Sequence, residues 1–379
     1  MTKEIAIIGG GPSGLMAAEI LSANGFKVTI YERKPTFGRK FLMAGRGGLN
    51  ISHSENLDSF IKKYGMKSNI FKTVIDNFSP EKLRKWCEGL GEKTFIGSSG
   101  RIFPQSFKSS PLLRAWLGRL EKQNVIFKLN HDWLGWDQNN LIFKTKNGKI
   151  AVPSNTTILS LGGASWPKLG SDGSWVKILE REGVKISPLQ PSNCGFVTEW
   201  SVVFSKKFEG KSLKSITLSF QDKKKHGELI ITKNGVEGGP IYALSAFLRE
   251  EININGSAQI LLDLKPDFSI EEIQKRLLKP KLKLSMSNYL RKTLNLSDVA
   301  IGLVMELPDR NNWIQNKIIN AIKSYKLNLQ KPFAIDRAIS SAGGVTFNSV
   351  NDNFMLINKP NVYVAGEMLD WEAPTGGYL

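Results

Sequence analysis

Three glycines near the start of the chain constrain its fold more than any other feature. Gly9, Gly11 and Gly14 directly follow the apolar run Glu4–Ile8 and precede an alanine-rich segment with helical spacing that ends at Gly25. A short continuous apolar run of this kind predicts a strand that is buried on both faces of a parallel sheet. The order of strand, glycine-rich turn and helix therefore predicts an α/β fold with a phosphate-binding turn.

Each glycine of the Gly-x-Gly-x-x-Gly spacing has its own mechanical role. Gly9 permits a tight turn, Gly11 lets the backbone approach a pyrophosphate, and Gly14 lets the helix pack closely on the strand. Pro12 and Ser13 belong to the same turn, where the N-terminus of the helix offers its N–H groups to the phosphates. The motif therefore predicts a dinucleotide site.

An acidic residue follows at the distance that this interpretation requires. Glu32 ends a second predicted strand, Lys27–Tyr31, and an acidic residue there accepts hydrogen bonds from a ribose. A carboxylate would repel a 2′-phosphate, although Arg33 beside it weakens that argument. The motif alone leaves both FAD and NAD open as the cofactor.

Three later segments favour FAD over NAD. A glycine-rich loop with three cations follows the second strand, and two further segments repeat a strand-then-glycine pattern. In a doubly wound sheet the loops at the carboxyl ends of the strands converge on one crevice, and a ligand that reaches both residue 9 and residue 377 must be long. These segments are residues 38–50, 156–165 and 361–379.

The composition is that of a soluble globular protein with a basic surface. The chain has 379 residues, of which 41% are hydrophobic and 23% charged, and its formal net charge is +18. A charge of this size raises nucleic acid as a partner. However, residues 189–332 carry 22 basic and 14 acidic residues, so the excess is spread almost evenly along the chain. We therefore interpret the charge as a lysine-rich solvated surface rather than a nucleic-acid interface.

Several classes of protein are not expected from this sequence. Cys87 and Cys194 lie far apart, so we predict two core thiols rather than a disulfide framework or a zinc ribbon. The histidines have no partner four residues away, and we expect no metal site. No run of 18 apolar residues exists, and glycines break the apolar N-terminus, so we expect a cytoplasmic protein without a membrane span.

Further glycine-containing segments are distributed along the chain. They are Gly38-Arg39-Lys40, Leu161–Pro167 with Gly170–Gly173, Gly227–Gly235 with Gly239-Pro240, Gly343-Gly344-Val345, and Gly366-Glu367 through Gly376-Gly377-Tyr378. Through these segments the sequence resembles, over essentially its whole length, the BaiN-like NAD(P)/FAD-dependent oxidoreductases, which are often called aminoacetone oxidases. One departure is Leu49, which stands where many members have cysteine, so no role for that thiol carries over.

The resemblance implies a Rossmann-like FAD-binding domain formed by residues 1–188 and 333–379. An inserted small β-barrel would occupy residues 189–265 and a helical subdomain residues 266–332. Within the insert, β-rich stretches (residues 194–204, 215–220, 228–232 and 259–264) precede segments with helical spacing (269–278, 284–294 and 312–327). Lys223–Lys225 is expected to be a solvated hairpin tip.

The resemblance also assigns roles to residues around the pyrophosphate and the adenosine. Gly9, Gly11 and Gly14 would bind the pyrophosphate, and Glu32 the adenosine ribose. Trp133 would offer its backbone to the adenine.

A second set of residues would surround the rest of the cofactor. Arg39, Lys40 and Asn50 would line the loop near the pyrophosphate and flavin, while Gly162 and Gly163 would close the crevice. Either Glu367, next to Gly366, or Asp370 would meet the ribityl chain. Gly376 and Gly377 would turn N–H groups toward the flavin ring. By comparison with the family these glycines should open a terminal helix, so we expect the chain to be a fragment of a longer protein.

The expected function is that of an FAD-dependent oxidoreductase that transfers a hydride through the flavin N5 to or from a small organic substrate. No second glycine motif marks an NAD(P)H domain, so NAD(P)H would act as a transient electron donor. Arg46 and His53 are the polar groups to test near the ring, and no catalytic residue is assigned. Two alternatives remain: a basic flavoprotein that binds or modifies RNA such as tRNA, and a flavin-binding protein without turnover.

Overall fold

The computed structural model describes residues 4–281, 283–307 and 315–379. The chain divides into two compact units, of which the first is Met1–Pro191 with Ile335–Leu379 and the second is Ser192–Ala334. The predicted boundaries at residues 188 and 333 lie within three residues of these. The first unit is therefore built from both ends of the chain.

The first part of the chain contains both strands and helices. Its strands are β1 (Glu4–Ile8), β2 (Lys27–Glu32), β3 (Ser52–His53), β4 (Thr94–Ile96), β5 (Arg101–Pro104), β6 (Ile126–Leu129), β7 (Asp132–Asp137), β8 (Asn140–Thr145), β9 (Gly148–Pro153), β10 (Thr156–Leu159) and β11 (Ile186–Ser192). Its helices are α1 (Pro12–Ala23), α2 (Arg39–Ala44), α3 (Leu57–Lys62), α4 (Ser68–Asn77), α5 (Pro80–Gly89), α6 (Ser109–Lys122) and α7 (Val176–Arg181).

The second unit and the returning segment follow. The strands of the second unit are β12 (Phe196–Val197), β13 (Ser212–Phe220), β14 (Lys223–Thr232), β15 (Gly235–Glu237), β16 (Ala258–Asp263), β17 (Tyr325–Leu329) and β18 (Lys331–Pro332). Its helices are α8 (Val202–Phe208), α9 (Gly239–Asn255), α10 (Ile270–Leu277), α11 (Met286–Leu294), α12 (Asp298–Glu306) and α13 (Gln315–Lys323). The returning segment adds β19 (Ser340–Val345) and β20 (Val362–Val364) to the first unit.

A parallel sheet forms the centre of the first unit. Its strand order is β20-β10-β1-β2-β6, and Ile7 of β1 lies beside Ile158 of β10 and Ile30 of β2. Ile7 and Ile30 are fully buried, as is Leu15 of the helix that follows β1. Burial on both faces explains why β1 is an unbroken apolar run. The predicted α/β Rossmann-like fold is confirmed.

The second unit differs in part from the expected architecture, which was a small β-barrel followed by a helical subdomain. Its described strands form one sheet in the order β17-β16-β13-β14-β15-β12-β18, and the neighbours pair antiparallel. The predicted helical subdomain belongs to the same unit as this sheet. The physical reason is that β17 follows the helices and pairs with β16, so the chain returns to the sheet that it left.

Two segments of the second unit have a different local structure from the expected one. Within the predicted β-rich stretch 194–204, Ser201 accepts a hydrogen bond from the Phe204 N–H at 3.0 Å and starts α8. Such an N-cap accepts from a backbone N–H of the first helical turn, which has no partner within the helix. The Lys223–Lys225 segment lies in β14, and the hairpin turns before it. Residues 312–314 of the predicted helix 312–327 lie outside the described residues, and α13 ends at Lys323.

The two cysteines are both buried, as predicted for core thiols. Burial, together with the nearby Glu92 and Glu88 carboxylates, raises the pKa of Cys87 to about 12, so its thiol is protonated at neutral pH. Among the described residues, no helix has both the length and the apolar character that a membrane crossing requires.

Candidate functional site

A cavity of about 680 Å³ lies in the first unit, where the chain leaves the carboxyl ends of the parallel strands. This volume is within the range of roughly 300–1,000 Å³ for small-molecule sites. Most of the predicted cofactor-binding residues line it. They are Gly9, Gly11, Pro12, Ser13, Glu32, Arg39, Lys40, Asn50, Trp133, Gly162, Gly366, Glu367, Gly376 and Gly377.

The three glycines of the first turn have different surroundings. Gly9 has a φ of +108°, and a Cβ added there would lie 2.3 Å from the carbonyl oxygen of Ser160. A Cβ on Gly14 would lie 2.0 Å from the carbonyl oxygen of Gly9, whereas one on Gly11 would meet nothing within 4 Å. Gly14 lies behind the wall of the cavity, where it lets α1 pack against β1. Gly11 leaves open space in front of the helix N-terminus, where a phosphate would be bound.

Backbone N–H groups orient the Glu32 carboxylate at one end of the cavity. The Gly10 and Lys34 N–H groups each donate to one carboxylate oxygen at 2.8 Å. Burial raises the pKa of Glu32, and these hydrogen bonds and the neighbouring cations only partly offset the effect. The position and fixed orientation of the carboxylate suit it to accept hydrogen bonds from ribose hydroxyl groups.

Arg33 contacts the start of β7 and the loop that carries Asp172, next to Glu32 on the cavity wall. Its Nη1 lies 2.7 Å from Asp172 Oδ2 and its Nε lies 3.3 Å from Asp132 Oδ1. Burial alone would raise the pKa of Asp172, but hydrogen bonds from Ser174 and the charge and hydrogen bond of Arg33 hold it below its usual value. The guanidinium is thus paired with two aspartates, and this strengthens the argument against a 2′-phosphate on the ribose.

Lys40 and Glu367 form a partly buried ion pair on the cavity wall. Lys40 Nζ lies 2.7 Å from Glu367 Oε2 and donates to Ser165 Oγ at 2.6 Å. The N–H groups of Gly163 and Ser341 donate to the Glu367 carboxylate at 3.3 and 3.0 Å. This network joins α2, the loop after β10, β19 and the segment after β20.

The C-terminal glycines lie close to the segment that carries Asn50. Gly376 and Gly377 have φ values of +111° and +112°, and a Cβ on Gly377 would lie 2.2 Å from the carbonyl carbon of Ser52. The Asn50 amide donates to the carbonyl oxygens of Ser52 and Ile102 at 2.7 and 3.1 Å. Only glycine permits this close approach of the two segments.

The cavity walls carry polar groups that have no protein partner. Five buried side-chain nitrogen or oxygen atoms of the described residues form no hydrogen bond, and four of them belong to residues that line this cavity. These four are Arg39 Nε, Trp116 Nε1, Trp133 Nε1 and Ser171 Oγ. Because buried polar groups are normally hydrogen-bonded, the donors indicate a site for a ligand with many acceptors. Together with the open space at Gly11, they fit a dinucleotide such as FAD.

Two other predicted cofactor contacts lie off the cavity wall. Gly163 is behind it, and a Cβ there would lie 2.4 Å from Ser341 Oγ. Asp370 accepts a hydrogen bond from Ser187 Oγ at 3.0 Å and lies 3.6 Å from Lys67 Nζ. Of the two acids considered for the ribityl chain, Glu367 is the one on the cavity wall.

The two residues suggested for tests near the flavin ring do not line the cavity either. Arg46 is exposed. His53 stacks against the Tyr378 ring with 5.6 Å between ring centroids, and its Nδ1 accepts a hydrogen bond from the Glu55 N–H at 3.1 Å. The contacts of His53 are therefore structural, because its ring stacks on a neighbouring aromatic ring and its Nδ1 is hydrogen-bonded to the backbone.

A family model described as the HI0933-like protein Rossmann domain matches residues 3–379. The chain belongs to this family. The resemblance to BaiN-like FAD-dependent oxidoreductases is thereby confirmed, as is the prediction that the HI0933-like chain is an FAD-dependent oxidoreductase.

Two relatives align with the HI0933-like chain over nearly its whole length. It is 24% identical to the 3-dehydro-bile acid delta(4,6)-reductase of Clostridium scindens over 99% of this chain and 95% of the relative. It is 22% identical to the ribosomal RNA dihydrouridine synthase of Escherichia coli over 98% of this chain and 93% of the relative.

A solved structure is similar in fold. The 3-ketosteroid delta1-dehydrogenase of Sterolibacterium denitrificans, in complex with 1,4-androstadiene-3,17-dione, matches with a TM-score of 0.52 and 10% identity over 99% of this chain and 96% of that chain. At this identity the likeness shows a shared fold for the HI0933-like chain and that dehydrogenase.

Sequence reasoning missed several residues of the site in the HI0933-like protein. Ser160 donates to the carbonyl oxygens of Ile8 and Gly9 at 3.0 and 2.9 Å, and so supports the glycine turn from the neighbouring strand. Trp175 donates its indole N–H to the Gly162 carbonyl at 2.9 Å. The position of Ser160, directly after a buried strand, was the available signal. Nothing in the local sequence pairs Trp175 with Gly162.

Proposed function

We propose that this HI0933-like protein reduces a carbon–carbon double bond conjugated to a carbonyl group, with FAD as its bound cofactor and NAD(P)H as the electron donor. The observation that carries the proposal is the cavity at the strand ends, with its open space at Gly11 and its unpaired donors. FAD, when bound, supplies two-electron hydride chemistry at N5 of its ring.

The names of the two relatives support this type of bond as the target. The name of the C. scindens relative refers to reduction of double bonds in a bile acid with an oxidised 3-position. The name of the E. coli relative refers to formation of dihydrouridine, which requires two hydrogens across the uracil double bond beside a carbonyl. In both, a double bond that a carbonyl activates becomes saturated. The balance is one NAD(P)H and one proton consumed for each double bond.

The chain's own residues would bind and orient the cofactor for this reaction. The N-terminus of α1 would bind the pyrophosphate in front of Gly11, and Glu32 would hold the adenosine ribose. The Lys40–Glu367 pair would fix the middle of the cofactor, and the N–H groups of Gly376 and Gly377 would face the flavin ring. Preorganised N–H groups near the ring would stabilise negative charge that develops there during reduction.

NAD(P)H is proposed to bind transiently beside the flavin and to leave after it has transferred its hydride. The sequence has one Gly-x-Gly-x-x-Gly turn after a buried strand, and that turn already lines the proposed FAD cavity. A donor that binds transiently and leaves as NAD(P)+ needs no dinucleotide domain of its own.

The FAD-loaded protein is expected to consume NADH or NADPH when 2-cyclohexenone or another conjugated enone is added, and to form the saturated ketone. The measurement is the fall in absorbance of the reduced nicotinamide, with the product identified by mass spectrometry. Cyclohexene, which has no carbonyl group, is the matched control substrate and should remain unreduced. Reduction of cyclohexene would contradict the proposal, and so would a failure to reduce any conjugated enone or uracil nucleotide with either NADH or NADPH.

RNA is the second candidate substrate, because the E. coli relative is named as a ribosomal RNA dihydrouridine synthase. A uracil base has a double bond conjugated to a carbonyl, so the same chemistry would serve. An RNA substrate predicts binding that weakens steeply with salt, because bound counterions are released when cations neutralise phosphates.

A further inference from the structure

Three phenylalanines form an aromatic cluster at the surface of the first unit, which we call the phenylalanine patch. Phe95 of β4 lies opposite Phe103 of β5, and Phe107 follows β5. The ring centroids are 5.8 Å apart for Phe95 and Phe103, 5.0 Å for Phe95 and Phe107, and 5.5 Å for Phe103 and Phe107. Phe107 is 49% exposed, whereas Phe95 and Phe103 are half-buried. The patch is thus an aromatic surface that opens to solvent at Phe107.

The backbone holds Phe107 in an unfavourable conformation. Its φ is +56°, in the left-handed region that bulky side chains rarely adopt. Its N–H donates to the Pro104 carbonyl and its own carbonyl accepts from the Leu49 N–H, both at 2.9 Å. Core packing does not explain a strained aromatic residue that is half exposed. Strain of this kind is typical of functional positions.

The patch is continuous with the wall of the cavity. Gly48 and Leu49 line the cavity, and Leu49 is hydrogen-bonded to Phe107. A Cβ on Gly48 would lie 3.2 Å from Phe107 Cδ1 and 3.9 Å from Phe103 Cε1. A ligand that lies on the rings would therefore extend to the edge of the cavity next to Asn50.

Exposed cations flank the patch in the sequence and in the sheet. Arg46 precedes the Gly48 turn, Lys93 precedes β4, Arg101 begins β5, and Lys108 follows Phe107. None of the four forms an ion pair with a carboxylate of the described residues. A purely apolar ligand would not require these charges, and a membrane surface would not require stacked rings. Rings for bases together with cations for phosphates are typical of sites that bind unpaired nucleic acid.

We infer that the phenylalanine patch binds an unpaired segment of RNA and holds it at the edge of the cavity. Bases would lie against the rings of Phe103 and Phe107, and phosphates near Arg46 and Lys108. The inference rests on the second candidate of the proposed function. It names the surface by which an RNA substrate would reach the site.

The test compares RNA affinity across matched variants of the FAD-loaded protein. The probe is a short fluorescein-labelled oligouridylate, and the measurement is fluorescence anisotropy at several salt concentrations. Phe107→Leu removes the ring and should weaken binding by at least about fivefold, the lower limit for loss of one stacked base. Phe107→Trp keeps an aromatic face and should retain the parent affinity. Phe78→Leu, at a phenylalanine that is 40% exposed elsewhere in the first unit, is the control and should also bind normally.

The cations have a separate expected effect. The double variant Arg46→Gln, Lys108→Gln should weaken binding and reduce the slope of log affinity against log salt by about 1.4, because two phosphate contacts are lost and each contributes about 0.7 on a single strand. FAD content and enone reduction, measured on every variant, should remain at the parent level. A loss confined to these variants while FAD content is unchanged supports the inference.

Two results would overturn the inference without contradicting the proposed reductase activity. One is RNA affinity that is the same in Phe107→Leu, Phe107→Trp and the parent protein while enone reduction continues. The other is no RNA binding at low salt together with a raised KM for an apolar enone in Phe107→Leu, which would assign the patch to a small apolar ligand. Loss of FAD and of all turnover in the parent would instead contradict the proposed function itself.

Discussion

Gly11→Val is expected to give a folded protein that no longer retains FAD. The residue has ordinary extended backbone angles of −83° and −178°, and a Cβ there would meet no protein atom within 4 Å. Valine therefore fits the apoprotein without strain, but its methyl groups would occupy the space in front of the α1 N-terminus that the pyrophosphate needs. We expect FAD affinity to fall by at least about a hundredfold, which corresponds to roughly 3 kcal/mol.

The measurement is FAD binding by isothermal titration calorimetry, with the melting temperature of the apoprotein as a check on the fold. Gly118→Val is the matched control: Gly118 also has no atom within 4 Å of an added Cβ, but it lies in α6 and not on the cavity wall. Gly14→Val should instead destabilise the apoprotein, because its Cβ would lie 2.0 Å from the Gly9 carbonyl oxygen. Normal FAD affinity in Gly11→Val would show that the phosphates lie elsewhere.

Lys40→Met is expected to weaken FAD binding and to lower the free energy of unfolding. Lys40 and Glu367 are 29% and 22% exposed, and removal of the ammonium group leaves the Glu367 carboxylate partly buried beside only neutral donors. Hydrogen bonds to charged groups contribute about 1.5–3 kcal/mol, and the partial exposure reduces this to about 1–2 kcal/mol. Because the pair joins four segments of the cavity wall, FAD affinity should fall by about tenfold or more.

Urea denaturation of the apoprotein and FAD titration separate the two effects. Lys359→Met is the matched control, since Lys359 pairs with Glu182 at 2.8 Å with similar exposures of 21% and 31%, but neither residue lines the cavity. It should lower stability by a similar amount without changing FAD affinity. If both variants change stability alone, the Lys40–Glu367 pair has no role in cofactor binding.

The local parts of the fold and the site are readable from the sequence. The first strand, the glycine turn, α1 and Glu32 all follow from short-range patterns, because burial, turn geometry and helix capping act between neighbouring residues. The prediction that residues near both ends of the chain share one cavity also agrees with the lining, which includes Gly9 and Gly377.

Long-range pairs are the part that the sequence does not reveal. Lys40 and Glu367 are 327 residues apart, and Arg33 and Asp172 are 139 apart, so nothing in either local segment identifies the partner. Asp370 is a second example of the same limit. It looks equivalent to Glu367 in the sequence, but Ser187 and Lys67 hold it away from the cavity.

The identity of the cofactor that the purified protein binds shows directly whether the cavity at Gly9–Gly14 holds FAD. The measurement is the visible absorption spectrum after incubation with FAD and removal of the excess, followed by denaturation and chromatography of the released compound. The expected result is a flavin spectrum and stoichiometric FAD in the parent protein, with neither in Gly11→Val. A colourless parent protein, or equal FAD content in the parent and in Gly11→Val, would contradict it.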